Sequence, residues 1–410
     1  MKACWEKKRL SELCTVFADG DWIESKDQAP EGIRLIQTGN VGEGVFKDRG
    51  DKARYISEAT FDKLRCTEIF EGDCLVSRLP DPVGRSCILP NVMERMITAV
   101  DCTIIRFDVT RICPEFFNYY SQSSEYLNAV DAETTGTTRK RISRSKLAQT
   151  LIPLPPLPEQ QRIVAILDET FEAITVARAN AEQNRQNARA LFESYLQSVF
   201  SQRGEGWVEK SLDDIGTTQT GSTPKSSEQS SYGDFMPFVK PGDFNSDGSL
   251  NYENDGLSEA GAANSRKVKA GSALMVCIGA TIGKAGFCDR IIATNQQINA
   301  FTPNEFVSYK FIYYQMLTGS FKQRVIHASG QATLPIINKS KWSALTVAVP
   351  PTLDEQHKVV ERLDALRNET QRLESLYLRK IAALDELKQS LLQQAFSGQL
   401  DTTRLEKLPV

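Results

Sequence analysis

Between Thr134 and Lys146 the chain reads Thr-Thr-Gly-Thr-Thr-Arg-Lys-Arg-Ile-Ser-Arg-Ser-Lys, five cations on a stretch of small hydroxyl residues. Such a loop suits an anionic polymer. Arg and Lys neutralise phosphates, and an Arg guanidinium or an Asn or Gln amide makes the bidentate contacts that distinguish one base from another. Thr137, Arg139, Lys140, Arg141 and Arg144 are therefore candidate DNA contacts, with Arg78 and Arg85 in the same class. The stretch Ala328 to Lys341 is the counterpart of this loop in the second half and carries Gln331 and Lys339. Lys240, Lys284, Gln296 and Gln297 are the comparable candidates outside it. A solvated charged loop is the ordinary alternative for all of these.

Other chemistries leave no trace. The chain contains no Gly-x-x-x-x-Gly-Lys-Ser/Thr phosphate loop, no Asn-Pro-Pro-aromatic amino-methyltransferase motif and no Gly-x-Ser-x-Gly elbow. Gly279-Ala-Thr-Ile-Gly283-Lys284 has the wrong spacing for a phosphate loop and reads as a strand-to-turn glycine pair. Cys4, Cys14, Cys66, Cys74, Cys87, Cys102 and Cys113 fall in the first third without a Cys-x-x-Cys pair, so buried reduced thiols are expected rather than disulfides or zinc. His327 and His357, the two histidines, lack a second ligand at metal spacing. No catalytic or metal residue is assigned. The net charge of -3 does not advertise a nucleic-acid binder, but local field rather than total charge governs binding. No apolar run approaches the roughly 20 residues of a membrane span, and the first residues lack the apolar core of a secretion signal; a cytoplasmic protein without membrane contact is expected.

The candidate loops must be positioned by something, and the chain supplies that twice. Ile152-Pro-Leu-Pro-Pro-Leu-Pro-Glu-Gln-Gln-Arg-Ile-Val-Ala-Ile-Leu-Asp168 aligns without gaps on Ala348-Val-Pro-Pro-Thr-Leu-Asp-Glu-Gln-His-Lys-Val-Val-Glu-Arg-Leu-Asp364, at an offset of 196 residues. The same offset holds where Leu191, Ser194, Leu196, Gln197 and Phe200 recur as Leu387, Ser390, Leu392, Gln393 and Phe396. Preceding segments repeat more loosely: Trp5-x-x-Lys8-x-Leu10 answers Trp207-x-x-Lys210-x-Leu212, and Glu71-Gly72-Asp73-x-Leu75 answers Ala270-Gly271-Ser272-x-Leu274. Their offsets drift from 202 to 199, as loop insertions would cause. The aromatic patches Pro114–Tyr120 and Tyr309–Gln315 also correspond, and read as core anchors rather than base-stacking platforms.

Each Pro-rich segment stops any strand and opens a helix, with Glu159 near its positive end. Apolar or small residues then follow at four-three spacing: Ile163, Leu167, Thr170, Ile174, Ala177, Ala181, Asn184, Ala188, Leu191, Tyr195 and Val199. In the second copy the stripe runs from Val359 and Leu363 to Leu387, Leu391 and Ala395. About 40 residues of helix make a rod of roughly 60 Å, and neither rod can bury its stripe alone. The expected fold is α+β: two mixed α/β heads separated by two long helices that pair as an antiparallel coiled coil, with a pseudo-two-fold internal repeat.

The Pro-rich Glu-Gln segment at the head of a long helix resembles that of the specificity subunit of a type I restriction-modification system, and the resemblance covers nearly the whole chain. It implies target-recognition domain 1 at residues 1–152, a conserved helical spacer at 153–203, target-recognition domain 2 at 204–347, a second conserved helical spacer at 348–400 and a C-terminal tail at 401–410. Each head would read one half of a split, asymmetric target in double-stranded DNA, and the helices would fix the gap. Two methyltransferase subunits would dock on the helical regions, with Pro155, Glu159, Gln160, Glu355 and Gln356 as candidate contacts, and restriction subunits would join the larger complex. S-adenosylmethionine, ATP and magnesium would sit on those partners and none on this chain. Adenine methylation and ATP-dependent cleavage would then belong to the complex. Thr352-Leu-Asp354, in place of Pro156-Leu-Pro158, departs from the motif and bears on partner contacts there. A coiled-coil scaffold without DNA readout is the other class of function, disfavoured because a plain spacer needs no two divergent heads.

Overall fold

The computed structural model describes residues 5–225, 228–330 and 334–402. The chain divides into two compact units, residues 1–181 with 379–410 and residues 182–378. The first contains β1 (Glu6–Arg9), β2 (Cys14–Asp19), β3 (Ile33–Ile36), β4 (Tyr55–Ile56), α1 (Glu58–Leu64), β5 (Glu68–Ile69), β6 (Cys74–Ser77), β7 (Ser86–Ile88), β8 (Met96–Thr98), β9 (Cys102–Phe107), α2 (Pro114–Tyr120), α3 (Ser124–Ala132), α4 (Arg144–Ala148), β10 (Leu151–Leu154) and the start of α5 (Leu157–Gln202). The second contains the rest of α5, then β11 (Val208–Ser211), α6 (Leu212–Ile215), β12 (Gly216–Thr220), β13 (Tyr232–Val239), β14 (Gly256–Leu257), α7 (Glu259–Ala263), β15 (Lys267–Val268), β16 (Ser272–Val276), β17 (Ala285–Cys288), β18 (Ile292–Thr294), β19 (Ile298–Pro303), α8 (Tyr309–Leu317), α9 (Gly319–Ala328), α10 (Lys339–Ser343) and β20 (Thr346–Val349). It also holds the first part of α11 (Leu353–Phe396), whose end returns to the first unit.

The two heads repeat strand for strand. In the first, β2-β9-β6-β7 form an antiparallel sheet, β4-β3-β8-β5 form a second in which β3 and β8 run parallel, and β1 pairs with β10. In the other head the orders are β12-β19-β16-β17, β14-β13-β18-β15 with β13 and β18 parallel, and β11 with β20. Strands covered on both faces are almost continuously apolar, as in β16, where Ala-Leu-Met-Val follows Ser272 and all five residues are buried. Against these sheets lie the aromatic patches, now helices α2 and α8, and Phe116, Phe117, Tyr120, Phe311, Tyr313 and Tyr314 are core residues. Among the described residues the cysteines are free, and Cys66, Cys74, Cys87, Cys102, Cys277 and Cys288 are buried.

The prolines do not stop the strand where the sequence suggests. Pro153 lies inside β10, opposite Lys7, and the helix begins only at Leu157. A two-stranded ribbon leaves one side of β10 without a ladder, so a residue lacking an N–H is tolerated there.

Within each unit the long-helix segments run antiparallel. In the first, Ile163 and Leu167 of α5 share a core with Leu392, Ala395 and Phe396 of α11, and Arg178 donates to Asp385 at 3.0 Å. In the second, Leu196 and Phe200 share a core with Val360 and Leu363, and Arg189 donates to Glu374 at 3.3 Å. Such exposed ion pairs contribute no more than about 1 kcal/mol, whereas burying one Phe contributes about 1.5–3 kcal/mol, so packing holds the helices. The stripe also slips by one residue from its heptad. Ile174, Ala181 and Ala188 are buried as expected, but Leu191 and Tyr195 face solvent while Leu196 and Phe200 are buried. In the second copy Leu387 is exposed and Leu392 and Phe396 are buried, although Ala395 of the stripe is buried with them. Past Ala188 the helix packs on a globular head, and a four-residue ridge replaces the coiled-coil seam.

Candidate nucleic-acid interface

At one edge of the first head, four segments are tied by backbone bonds: the end of β2, the start of the β6–β7 connection, the β8–β9 turn and the α3–α4 loop. Asp21 N–H donates to Thr98 O at 2.8 Å, Arg78 N–H to Asp101 O at 2.9 Å, and Ile142 N–H to Arg78 O at 3.2 Å. Gly20 makes the crossing possible, because a Cβ there would lie 2.4 Å from the carbonyl oxygens of Thr98 and Ala99. Thr135 and Arg141 exchange backbone bonds of 2.9 Å, so Gly136 to Lys140 form the tip of a hairpin-like loop. Thr137, Arg139, Lys140, Arg141 and Arg144 are all exposed, as a DNA-contacting loop requires.

Carboxylates hold most of these cations in place. Arg141 pairs with Asp101 at 2.9 Å, Lys140 with Asp131 at 2.8 Å, and Arg144 approaches Asp19 at 3.9 Å. Arg139 has no ion pair among the described residues. Arg78 lies beneath them, 4% exposed, with Asp19 at 3.3 Å. Burial lowers the Arg78 guanidinium from its ordinary range, and Asp19 opposes that shift. Arg85 is different. It is buried, and its guanidinium donates to the carbonyls of Val41, Leu79, Pro82 and Thr38 at 2.7, 2.7, 3.0 and 2.9 Å. A guanidinium so engaged fastens the turn and leaves the set of DNA contacts. Trp22, by contrast, carries no signal in sequence beyond its neighbour Asp21, yet it is 69% exposed at this same edge.

The second head builds the same edge from other residues. Ser222 N–H donates to Thr294 O at 2.9 Å, Asn295 N–H to Val239 O at 3.1 Å and Cys277 N–H to Gln297 O at 2.7 Å, which brings Lys240, Gln296 and Gln297 together. Gly221 crosses as Gly20 does. Gln296 is exposed and accepts from the Thr223 hydroxyl, Gln297 accepts from Asn295 at 2.9 Å, and Lys240 pairs with Asp255 at 2.8 Å. Gly279 to Lys284 is the β16–β17 turn, as its glycine pair suggests, with Lys284 half-buried. Lys339 is exposed at the start of α10, and Gln331 lies outside the described residues.

The residues put forward for partner contacts divide sharply. Glu355 is exposed, and Glu159 is half-covered beside Arg162 and Thr402. Pro155 is buried, and Gln160 and Gln356 are 0% and 1% exposed with the oxygen and nitrogen of each amide bonded inside the chain. No partner can reach them, so their role is internal. Val176 and Leu387 in the first unit, and Leu191, Tyr195, Leu376 and Leu378 in the second, are the large apolar side chains that the long helices leave exposed among the described residues. No helix among those residues is long and apolar enough to cross a membrane.

Residues 3–183 and 204–383 each match the family model described as type I restriction modification DNA specificity domain. The chain is 24% identical over 361 residues to the type I restriction enzyme HindI specificity subunit of Haemophilus influenzae, covering 69% of this chain and 77% of that one. It is 21% identical over 383 residues to the putative type I restriction enzyme MjaX specificity subunit of Methanocaldococcus jannaschii, covering 88% and 86%. In fold it resembles the HsdS subunit of Thermoanaerobacter tengcongensis, with a TM-score of 0.62 at 20% identity over 97% of this chain and 98% of that one.

Proposed function

Since the chain belongs to the type I restriction-modification DNA specificity family, we propose that each of its heads reads one half of a split, asymmetric DNA target and that α5 and α11 set the distance between the halves. One observation carries this reading: the heads are identical in strand order, yet the edge where their loops converge bears Arg139, Arg141 and Arg144 in one and Lys240, Gln296 and Gln297 in the other. A scaffold kept while its reading edge changes suits two different base sequences. Arg141, held by Asp101, is pre-aimed for guanine, Gln296 and Gln297 suit adenine, and Arg139 suits a phosphate, while buried Arg78 supports the loop from beneath. Exposed Trp22 supplies an apolar face at the same edge.

Two methyltransferase subunits dock along the long helices in this proposal, using surfaces such as Glu355 and the exposed leucines rather than Gln160 or Gln356. Restriction subunits complete the complex. S-adenosylmethionine, ATP and magnesium are bound by those partners, so this chain supplies sequence choice and no reacting group.

Selection from random duplex DNA by the complex with methyltransferase subunits tests the reading, which requires a split sequence to be enriched; enrichment of none would sink it. Two variants separate the contact types. Arg139→Ala should weaken binding on all sequences alike and lower the slope of log affinity against log salt by about 0.9, the value for one phosphate contact. Arg141→Ala should cost about 1–3 kcal/mol on the cognate site and relax one base position. Equal losses on cognate and random DNA for Arg141→Ala would remove it from base reading.

A further inference from the structure

The buried glutamines at the start of the two long helices make the same bonds to the two heads. Gln160 Oε1 accepts from Cys113 N–H at 2.8 Å, and its Nε2 donates to the carbonyls of Arg111 and Pro155 at 3.1 and 2.8 Å. Gln356 Oε1 accepts from Ser308 N–H at 2.8 Å, and its Nε2 donates to Phe306 O at 3.0 Å. Cys113 and Ser308 are the N-cap residues of α2 and α8, and neither caps its helix with its own side chain. The long helix therefore supplies the acceptor at the head helix's N-cap. An amide offers a strong acceptor and donors together at this place, whereas an ionised carboxylate lacks the donors and a thioether has no donor and only a weak acceptor.

Two more contacts recur around the same head helices. Tyr119 donates its hydroxyl to Asp168, and Tyr314 donates to Asp364. One turn earlier on the same helices Phe116 meets Phe396 with centroids 5.2 Å apart, and Phe311 meets Phe200 at 5.3 Å. Each head helix is thus gripped by the first turns of one long helix and the last turns of the other. Contact with two helices fixes an angle as well as an attachment. Side chains in the heads diverge at the reading edge, whereas these three contacts recur in both copies, the second adding Lys310 Nζ to Asp364 at 2.8 Å and Arg367 to the Tyr313 hydroxyl at 2.6 Å.

We propose that Gln160 with Tyr119–Asp168, and Gln356 with Tyr314–Asp364, are orientation clamps that fix the angle of each head on its helix pair and so determine which spacing between target halves is accepted. The inference rests on the split-target reading above. The clamps touch no DNA and act as positioning residues, so their loss should alter the accepted gap and leave the bases read in each half unchanged.

The test uses the full chain with methyltransferase subunits and a DNA library in which the two selected half-sites are separated by every gap of a graded series, with methylation scored by sequencing. Tyr119→Phe and Tyr314→Phe keep the rings and so keep the fold; Gln160→Met and Gln356→Met remove the amide bonds. Methylation of gaps one base pair away from the preferred one should rise roughly fivefold to tenfold relative to it, the ratio set by about one net hydrogen bond. The half-site bases should stay the same. Loss of methylation in equal proportion at every gap, or an unchanged gap profile in all four variants, overturns the clamp. A wild-type complex that enriches no split sequence overturns the split-target reading, and the clamp with it.

Discussion

A chain lengthened by one heptad at Asn184 in α5, and by a matching heptad between Glu374 and Asp385 in α11, should select target halves about three base pairs farther apart, or none. Seven residues add about 10.5 Å to a helix, and one base-pair step is about 3.4 Å. A heptad keeps the buried faces nearly in phase, drifting by only about 20°, so Ala181 and Ala188 stay on the packed side. Three base pairs, however, turn the second half-site by about 100° around a duplex of roughly 10 base pairs per turn. Where the DNA cannot absorb that rotation, selection of a split site is lost. Insertion in α5 alone leaves it longer than α11 between the Arg178–Asp385 and Arg189–Glu374 pairs, and should abolish recognition. Sequencing of the selected sites reads the outcome. An unchanged gap after the paired insertion would show that the helices are not the ruler.

The second large effect is on stability. Phe396→Ala should destabilise the first unit by about 3–5 kcal/mol, the usual cost of removing a packed aromatic ring. Phe396 is 5% exposed and packs edge-on against Phe116 and Tyr120, with centroids at 5.2 and 5.1 Å. Leu10, Leu13, Leu147 and Leu392 belong to the same core, so the end of α11 completes the head that contains β1. For units of this size, about 200 residues, each kcal/mol lowers the midpoint by about 2–4 °C, so a fall on the order of 10 °C is expected by calorimetry. Phe200→Ala should do the same to the second unit through Phe311 and Trp207. A change below about 1 kcal/mol for Phe396→Ala would mean that the end of α11 does not stabilise the first head.

The repeat made the architecture legible because the helices keep an offset of 196 residues from Glu159-Gln160 to Phe200. Leu196, Phe200, Leu392 and Phe396 keep that offset because each closes a head core, a reason the alignment alone does not give. The one-residue slip after Ala188 was hidden, since Leu191 and Leu196 are equally apolar and only the packed surface chooses between them. The basic loop at Thr134–Lys146 showed itself by composition, but Arg85 looks the same in sequence as Arg141. Their difference is in what surrounds them: four carbonyls for one, and a single carboxylate at the surface for the other. Gln160 illustrates the reverse. Its motif stands out in the sequence and suggests a partner, whereas its amide bonds are made to Arg111, Cys113 and Pro155 of its own chain. Distant pairings of this kind leave no periodicity to read.

One chain is proposed to read two different half-sites at a fixed gap. Mapping methylated adenines across genomic DNA from cells carrying this chain with its methyltransferase subunits tests it most directly. The account predicts a single split motif with two unlike halves and one gap length, lost from one half when Arg141 and Arg144 are replaced and from the other when Gln296 and Gln297 are replaced. A continuous motif, or methylation without sequence preference, would contradict it.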